Sequence, residues 1–162
     1  RRRVAIGPHA TLLFENWDTM WYQVQEMLWI EKGGADQLPD ELAAYNPMIP
    51  NGSELTATLM FGISDEAKRR AFLAELGGVE DHISISIGGD RVKAVADEDL
   101  ERTTADGKTS SVHFLHFPFS AEQIAAFKRG GDILVRIDHP RYGHAAIIGD
   151  EVRAELESDF SR

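Results

Sequence analysis

The stretch HISISIGGDRVKAVA, residues 82–96, decides the fold class. Ile83, Ile85 and Ile87 alternate with His82, Ser84 and Ser86, the period of a strand with one buried face and one wet face. Gly88-Gly89-Asp90 then supplies a tight turn, and residues 91–96 resume as a partner strand. A hairpin of this kind builds an antiparallel sheet, not a crossover unit.

The same signals extend outward along the chain. Leu55, Ala57, Leu59 and Phe61 alternate with Thr56, Thr58 and Met60 in a second period-two strand. Residues 10–15 form a short apolar strand, and 111–119 are apolar on both faces, which predicts a central position. Residues 133–138 and 143–148 pair around the loop His139-Pro140-Arg141-Tyr142. Helices are predicted over 17–32, closed by Gly33-Gly34 and capped by Asn16 or Asp18, and over 39–45. Ser64 caps another, running to residue 76. Ser120 and Gln123 form a capping box that opens a helix to 129, and the tail 150–160 closes the set. Residues 97–110 read as an exposed loop. About six strands and five helices, without regular β-α-β alternation, give an α+β fold with a mainly antiparallel sheet. No repeat or linker interrupts residues 1–162, so they form one domain.

Bulk composition narrows the setting. A chain of 162 residues with 43% hydrophobic content supports one globular core. Cysteine is absent, which removes disulfides, thiol nucleophiles, zinc–thiolate sites and cysteine-ligated Fe–S clusters together. With no signal sequence and no apolar run near the ~18 residues of a membrane span, the expected setting is a soluble cytoplasmic protein. A net charge of −10 argues against nucleic acid, because phosphates must be neutralised by clustered Lys and Arg, and the only basic run is Arg1-Arg2-Arg3.

Chemistry has two reservoirs. On a helix, at ~100° per residue, Trp17, Met20, Trp21, Val24, Met27 and Leu28 share one arc, with Glu31 in it and Tyr22 and Trp29 on its flank. So apolar a helix should pack on more than one side. Its carboxylates, Glu26 and Glu31, would then need partners, as metal ligands, acid–base groups or members of a structural network. The second reservoir is Asp138-His139-Pro140-Arg141-Tyr142-Gly143-His144, two imidazoles, a carboxylate and a phenol around one turn. Asp138 could orient His139 for a metal, while a plain structural hairpin is the competing explanation. His9 is a comparable loop residue. His113 and His116 have a chelating look, but an odd offset on a strand sends them to opposite faces. No nucleophile elbow, zinc helix, phosphate-binding loop or dinucleotide fingerprint is present.

The segments RRRVAIGPHATLLFEN, YQVQEMLWIEK, AAYNPMIPNGSELTATLM and IDHPRYGH together resemble an uncharacterised bacterial domain-of-unknown-function family. Its genes commonly lie beside a rubrerythrin and an iron–sulfur oxidoreductase, so the resemblance implies a redox-protein partner in peroxide or iron metabolism. It also implies a helical, basic segment ahead of Arg1. The family pattern falls on His9, Glu15, Asn16, Gln23, Glu26, Glu31, Tyr45, Asn46, His139 and Tyr142.

Two functional classes follow. One is an accessory or interaction protein without its own turnover, as a homodimer or with a redox partner. The other is a metal- or small-ligand-binding domain, with or without catalysis, built on His9, Glu15, Glu26, Glu31 and His139. Such nitrogen and oxygen donors suit divalent iron, manganese or zinc. Gln23, Asn16, Tyr45, Asn46, Asp138, Tyr142 and His144 would support that site. Nucleic-acid binding through the basic start is a distant third.

Overall fold

Alternating burial in the strands builds two antiparallel sheets around one core. The computed structural model describes residues 1–96 and 109–160; most of the loop expected over 97–110 lies outside them. The first sheet contains β1 (Arg3–Ile6), β2 (Ala10–Glu15), β3 (Glu54–Phe61), β6 (Val95–Ala96) and β7 (Val112–Pro118), in the order β1-β2-β3-β7-β6. The second contains β4 (Ile83–Ile87), β5 (Asp90–Lys93), β8 (Ile133–His139) and β9 (Tyr142–Ile147), in the order β5-β4-β8-β9. Every strand pair is antiparallel, so the α+β reading holds.

Two sheets replace the expected one. The stretch 91–96 is not one strand: β5 stays with β4, and beyond Ala94 the chain joins β7 of the other sheet as β6. The hairpin's polar face is not wet either. Ser84 and Ser86 are buried, and the Arg136 guanidinium donates to Ser86 Oγ at 3.0 Å. β1 was not anticipated, although Val4 and Ile6 alternate inward between exposed Arg3 and Ala5.

Leu12, Phe14, Leu55, Ala57, Leu59, Leu115 and Phe117 from the first sheet join Ile83, Ile85, Val135 and Ile137 from the second in one buried cluster. The helices are α1 (Trp17–Glu31), α2 (Leu38–Tyr45), α3 (Glu66–Ala74), α4 (Ala121–Arg129) and α5 (Asp150–Glu157). Local chemistry sets their ends. Asn16 caps α1 in a reciprocal box with Thr19, and Ser120 does the same for α4 with Gln123. Asp65, not Ser64, caps α3. Phe127 of α4, Leu156 of α5 and Phe160 beyond it close the core.

The basic start is not a free patch. Arg2 is buried; its Nε donates to the Phe14 carbonyl at 2.9 Å, and its other nitrogens reach the Glu15 carbonyl, Asp159 and Glu155. It thus ties the first sheet to the C-terminal helical segment. Removing one partner of a buried ion pair leaves the other charge without compensation. Arg2→Ala is expected to lower the unfolding free energy by ~3 kcal/mol. Urea denaturation checks this; a loss within the noise of a surface substitution would refute the tie.

Candidate functional site

The junction of β2 and α1 positions the most unusual side chain. Alternation sends Leu12 and Phe14 into the core and Leu13 and Glu15 to the outer face of the sheet. There Glu15, paired in register with Thr56, shares the face with Thr58 and Met60 of β3 and with Val112 and Phe114 of β7. Helix α1 lays Met20 and Gln23 over this face, and Tyr45 from the end of α2 completes the wall. These residues enclose a cavity of about 190 Å³.

Glu15 is only 3% exposed. Thr58 donates to its Oε1 at 3.0 Å, and Thr19 from the first turn of α1 donates to its Oε2. Burial pushes its pKa up, because removing water penalises the carboxylate; the two hydroxyls and then Arg2 and Arg3 act in the opposite direction. At the rim, Gln23 Nε2 donates to the Tyr45 hydroxyl at 3.4 Å, and the Tyr45 ring meets Phe114 edge-on.

Four of the sequence-derived residues, Glu15, Asn16, Gln23 and Tyr45, therefore gather around this junction. The proposed ligand set does not. His9 lies in the turn between β1 and β2, edge-on to Phe72. Glu26 is exposed on α1, and Glu31 accepts from Gln37 Nε2 at 2.7 Å near the helix end. His139 is buried, with Nε2 bonded to the Gly77 carbonyl at 2.9 Å and Nδ1 accepting from the Arg141 backbone N–H. Both its nitrogens are thus engaged by the backbone. Among the described residues, no three or more His, Asp or Glu side chains gather as a metal site.

The turn constellation is structural in its contacts. Asp138 points away from His139 and pairs with Arg91 at 3.3 Å, as alternation along a strand requires. The Tyr142 hydroxyl donates to the Ile6 carbonyl and accepts from the backbone N–H groups of His9 and Ala10. It pins the β1–β2 turn to the second sheet. Its pKa is raised, first by burial. His144 packs on the Tyr142 ring and on Gly7, where φ is +70° and a Cβ would collide with both side chains. Asn46 caps the C-terminal end of α2. His113 and His116 face opposite sides, the first buried and the second paired with Glu54 at 3.0 Å.

The α1 surface is the largest departure from expectation. The helix is not enclosed: only Met20 and Val24 are buried, while Trp17, Trp21, Tyr22 and Trp29 are 49%, 54%, 64% and 80% exposed. α1 packs chiefly on α2 and on β2 of the sheet, which leaves Trp21, Tyr22 and Trp29 more than half exposed. Trp17 and Trp21 stack at 6.2 Å and wall a groove of about 240 Å³ with Leu38 and Leu42 of α2.

A family model described as a protein of unknown function (DUF3501) matches residues 1–160. The chain belongs to the DUF3501 family. A solved structure, described as a novel protein of unknown function from Burkholderia pseudomallei K96243, is 45% identical with a TM-score of 0.88. The match covers 98% of this chain and 83% of that one. Curated proteins provide no match. The family thus brings a shared architecture and no assigned chemistry to this DUF3501 site.

Thr19, Thr58 and Phe114 were missed as site residues. The alternation of Thr56, Thr58 and Met60 was the available signal, since it already marked a second face on β3. The raised pKa of Glu15 has a stability consequence. Between its unfolded and folded pKa values the native state holds more protons, so native stability falls as pH rises through that window. Glu15→Gln removes this pH dependence. Relative to the variant, the parent protein should lose stability as pH climbs from the ordinary carboxylate range, measured by denaturant unfolding across pH. The opposite slope would refute the burial penalty.

Proposed function

We propose that this protein acts as an accessory interaction protein, docking a basic, apolar segment of a partner on the α1–α2 hairpin. The observation that carries this is the exposure of four aromatic side chains on one helix. Together they leave on the order of 500 Å² of aromatic surface in water, and patches of this size mark interaction sites. The hairpin is also acidic. Residues 17–45 contain Asp18, Glu26, Glu31, Asp36, Asp40 and Glu41 against Lys32 alone.

Charge selects the occupant. A second copy would bring two acidic hairpins together, whereas a Lys/Arg-bearing amphipathic helix complements both the apolar groove and the net negative charge of the hairpin that carries it. Trp17 also borders a cavity of about 270 Å³ lined by Asp18, Glu155 and Asp159. Arg2 already pairs with Glu155 and Asp159, so a partner's cation seated there would meet Asp18 and an indole face. The family resemblance suggests a redox protein in the partner's role; the geometry speaks only to docking.

The test uses a synthetic amphipathic Leu/Lys helix, with its Leu/Glu counterpart as control, titrated by calorimetry. The basic peptide should bind with salt-sensitive affinity, and Trp21→Ala should weaken it about tenfold or more while the circular dichroism spectrum stays unchanged. Equal binding of the acidic peptide, or no binding of either, would sink the proposal. So would sedimentation showing a dimer abolished by Trp21→Ala, since the second copy would then hold this face.

A further inference from the structure

The cavity under α1 has the features of a second, independent site. It sits on the sheet side of the helix, away from Trp21 and Trp29, and its floor carries one buried carboxylate in largely apolar surroundings. The geometry points to this cavity as a binding site for a compact organic cation, a primary ammonium group carried on an apolar body of about one ring.

Three observations converge on that ligand. First, each carboxylate oxygen accepts two hydrogen bonds, and each oxygen of Glu15 receives one hydroxyl from the protein. An acceptor position remains on both. Second, the lining contains no Lys or Arg. Arg2 approaches Glu15 only at its backbone carbonyl and places its charge on Asp159 and Glu155. Arg3 is exposed on β1. The cavity lining therefore has a buried carboxylate and no cation, Arg2 and Arg3 acting on it only from outside, and an ammonium group would replace the water the carboxylate has lost. Third, the walls suit the rest of such a molecule. Tyr45 and Phe114 present aromatic surface, which attracts a cation as well as an apolar ring. Met20 and Met60 are unbranched and adapt to the shape of an occupant.

Volume sets the size limit. A cavity of ~150 Å³ accommodates benzene, so about 190 Å³ admits a single ring with a short aminomethyl arm. Thr58 and Thr19 hold the carboxylate from two elements, so its position is set before any ligand arrives.

Benzylamine is the probe, and benzyl alcohol is its neutral counterpart of nearly the same shape. Nitrogen-15 correlation spectra of the whole protein near neutral pH are recorded against each. Benzylamine should saturate with shifts centred on residues 13–15, 20–23 and 58–60, and bind about tenfold or more tightly than benzyl alcohol. Glu15→Gln, with its fold checked by the same spectra, should remove that preference while retaining weak binding of both. Equal affinity of the two probes for the parent protein would overturn the proposal. So would shifts confined to the Trp21–Trp29 face, or no saturation up to about 10 mM. The parent protein's amine-to-alcohol ratio decides the matter even if Glu15→Gln does not fold.

Discussion

A helix can bury only one stripe against a sheet, and α1 carries more apolar surface than one stripe holds. Met20 and Val24 take the sheet side, and α2 covers part of another flank. Trp21, Tyr22 and Trp29 then have nowhere to go within the described chain. Elsewhere the fold is conventional in its economy: two antiparallel sheets share a core in which most large side chains are fully enclosed. That sealed interior contrasts with the open arc of α1.

Magnitudes indicate what the open arc can do. About 500 Å² of aromatic surface at ~25 cal/mol per Å² represents on the order of 12 kcal/mol of gross hydrophobic gain. Association consumes roughly 4–15 kcal/mol of that in lost motion. In the docking proposed above, the aromatic surface alone would give modest affinity, and the acidic residues of the hairpin would bias orientation and choice of partner. This division of labour favours an exchangeable complex over a permanent one. The buried carboxylate of Glu15 belongs to a different chemistry, held by two hydroxyls on the sheet side of the same helix.

The sequence carried the fold class because period-two alternation and capping residues are local signals. The Ile83–Ile87 strand, the Ser120–Gln123 box and the turn at Gly88-Gly89 depended on no distant contact. The separation into two sheets was not legible, since the crossing at Ala94 depends on which edge, β4 or β7, is available nearby. Candidate residues divided for the same reason. Glu15, Gln23 and Tyr45 were named as members of a pattern, but their meeting place requires the β2–α1 junction. His139 and Tyr142 stood out by chemical type, yet backbone groups from residues far along the chain use their polar atoms. The tryptophans misled most: periodicity counts apolar residues on an arc without revealing whether anything faces that arc.

Acrylamide quenching of tryptophan fluorescence, on the isolated protein at low concentration, tests the open helix most directly. The three indoles, which lie in α1 alone, should emit at long wavelength and be quenched nearly as readily as free tryptophan, Trp29 most of all. Blue-shifted emission with strong protection from quencher would mean that the aromatic arc is already covered, and the account of α1 as an unfilled docking face would be wrong.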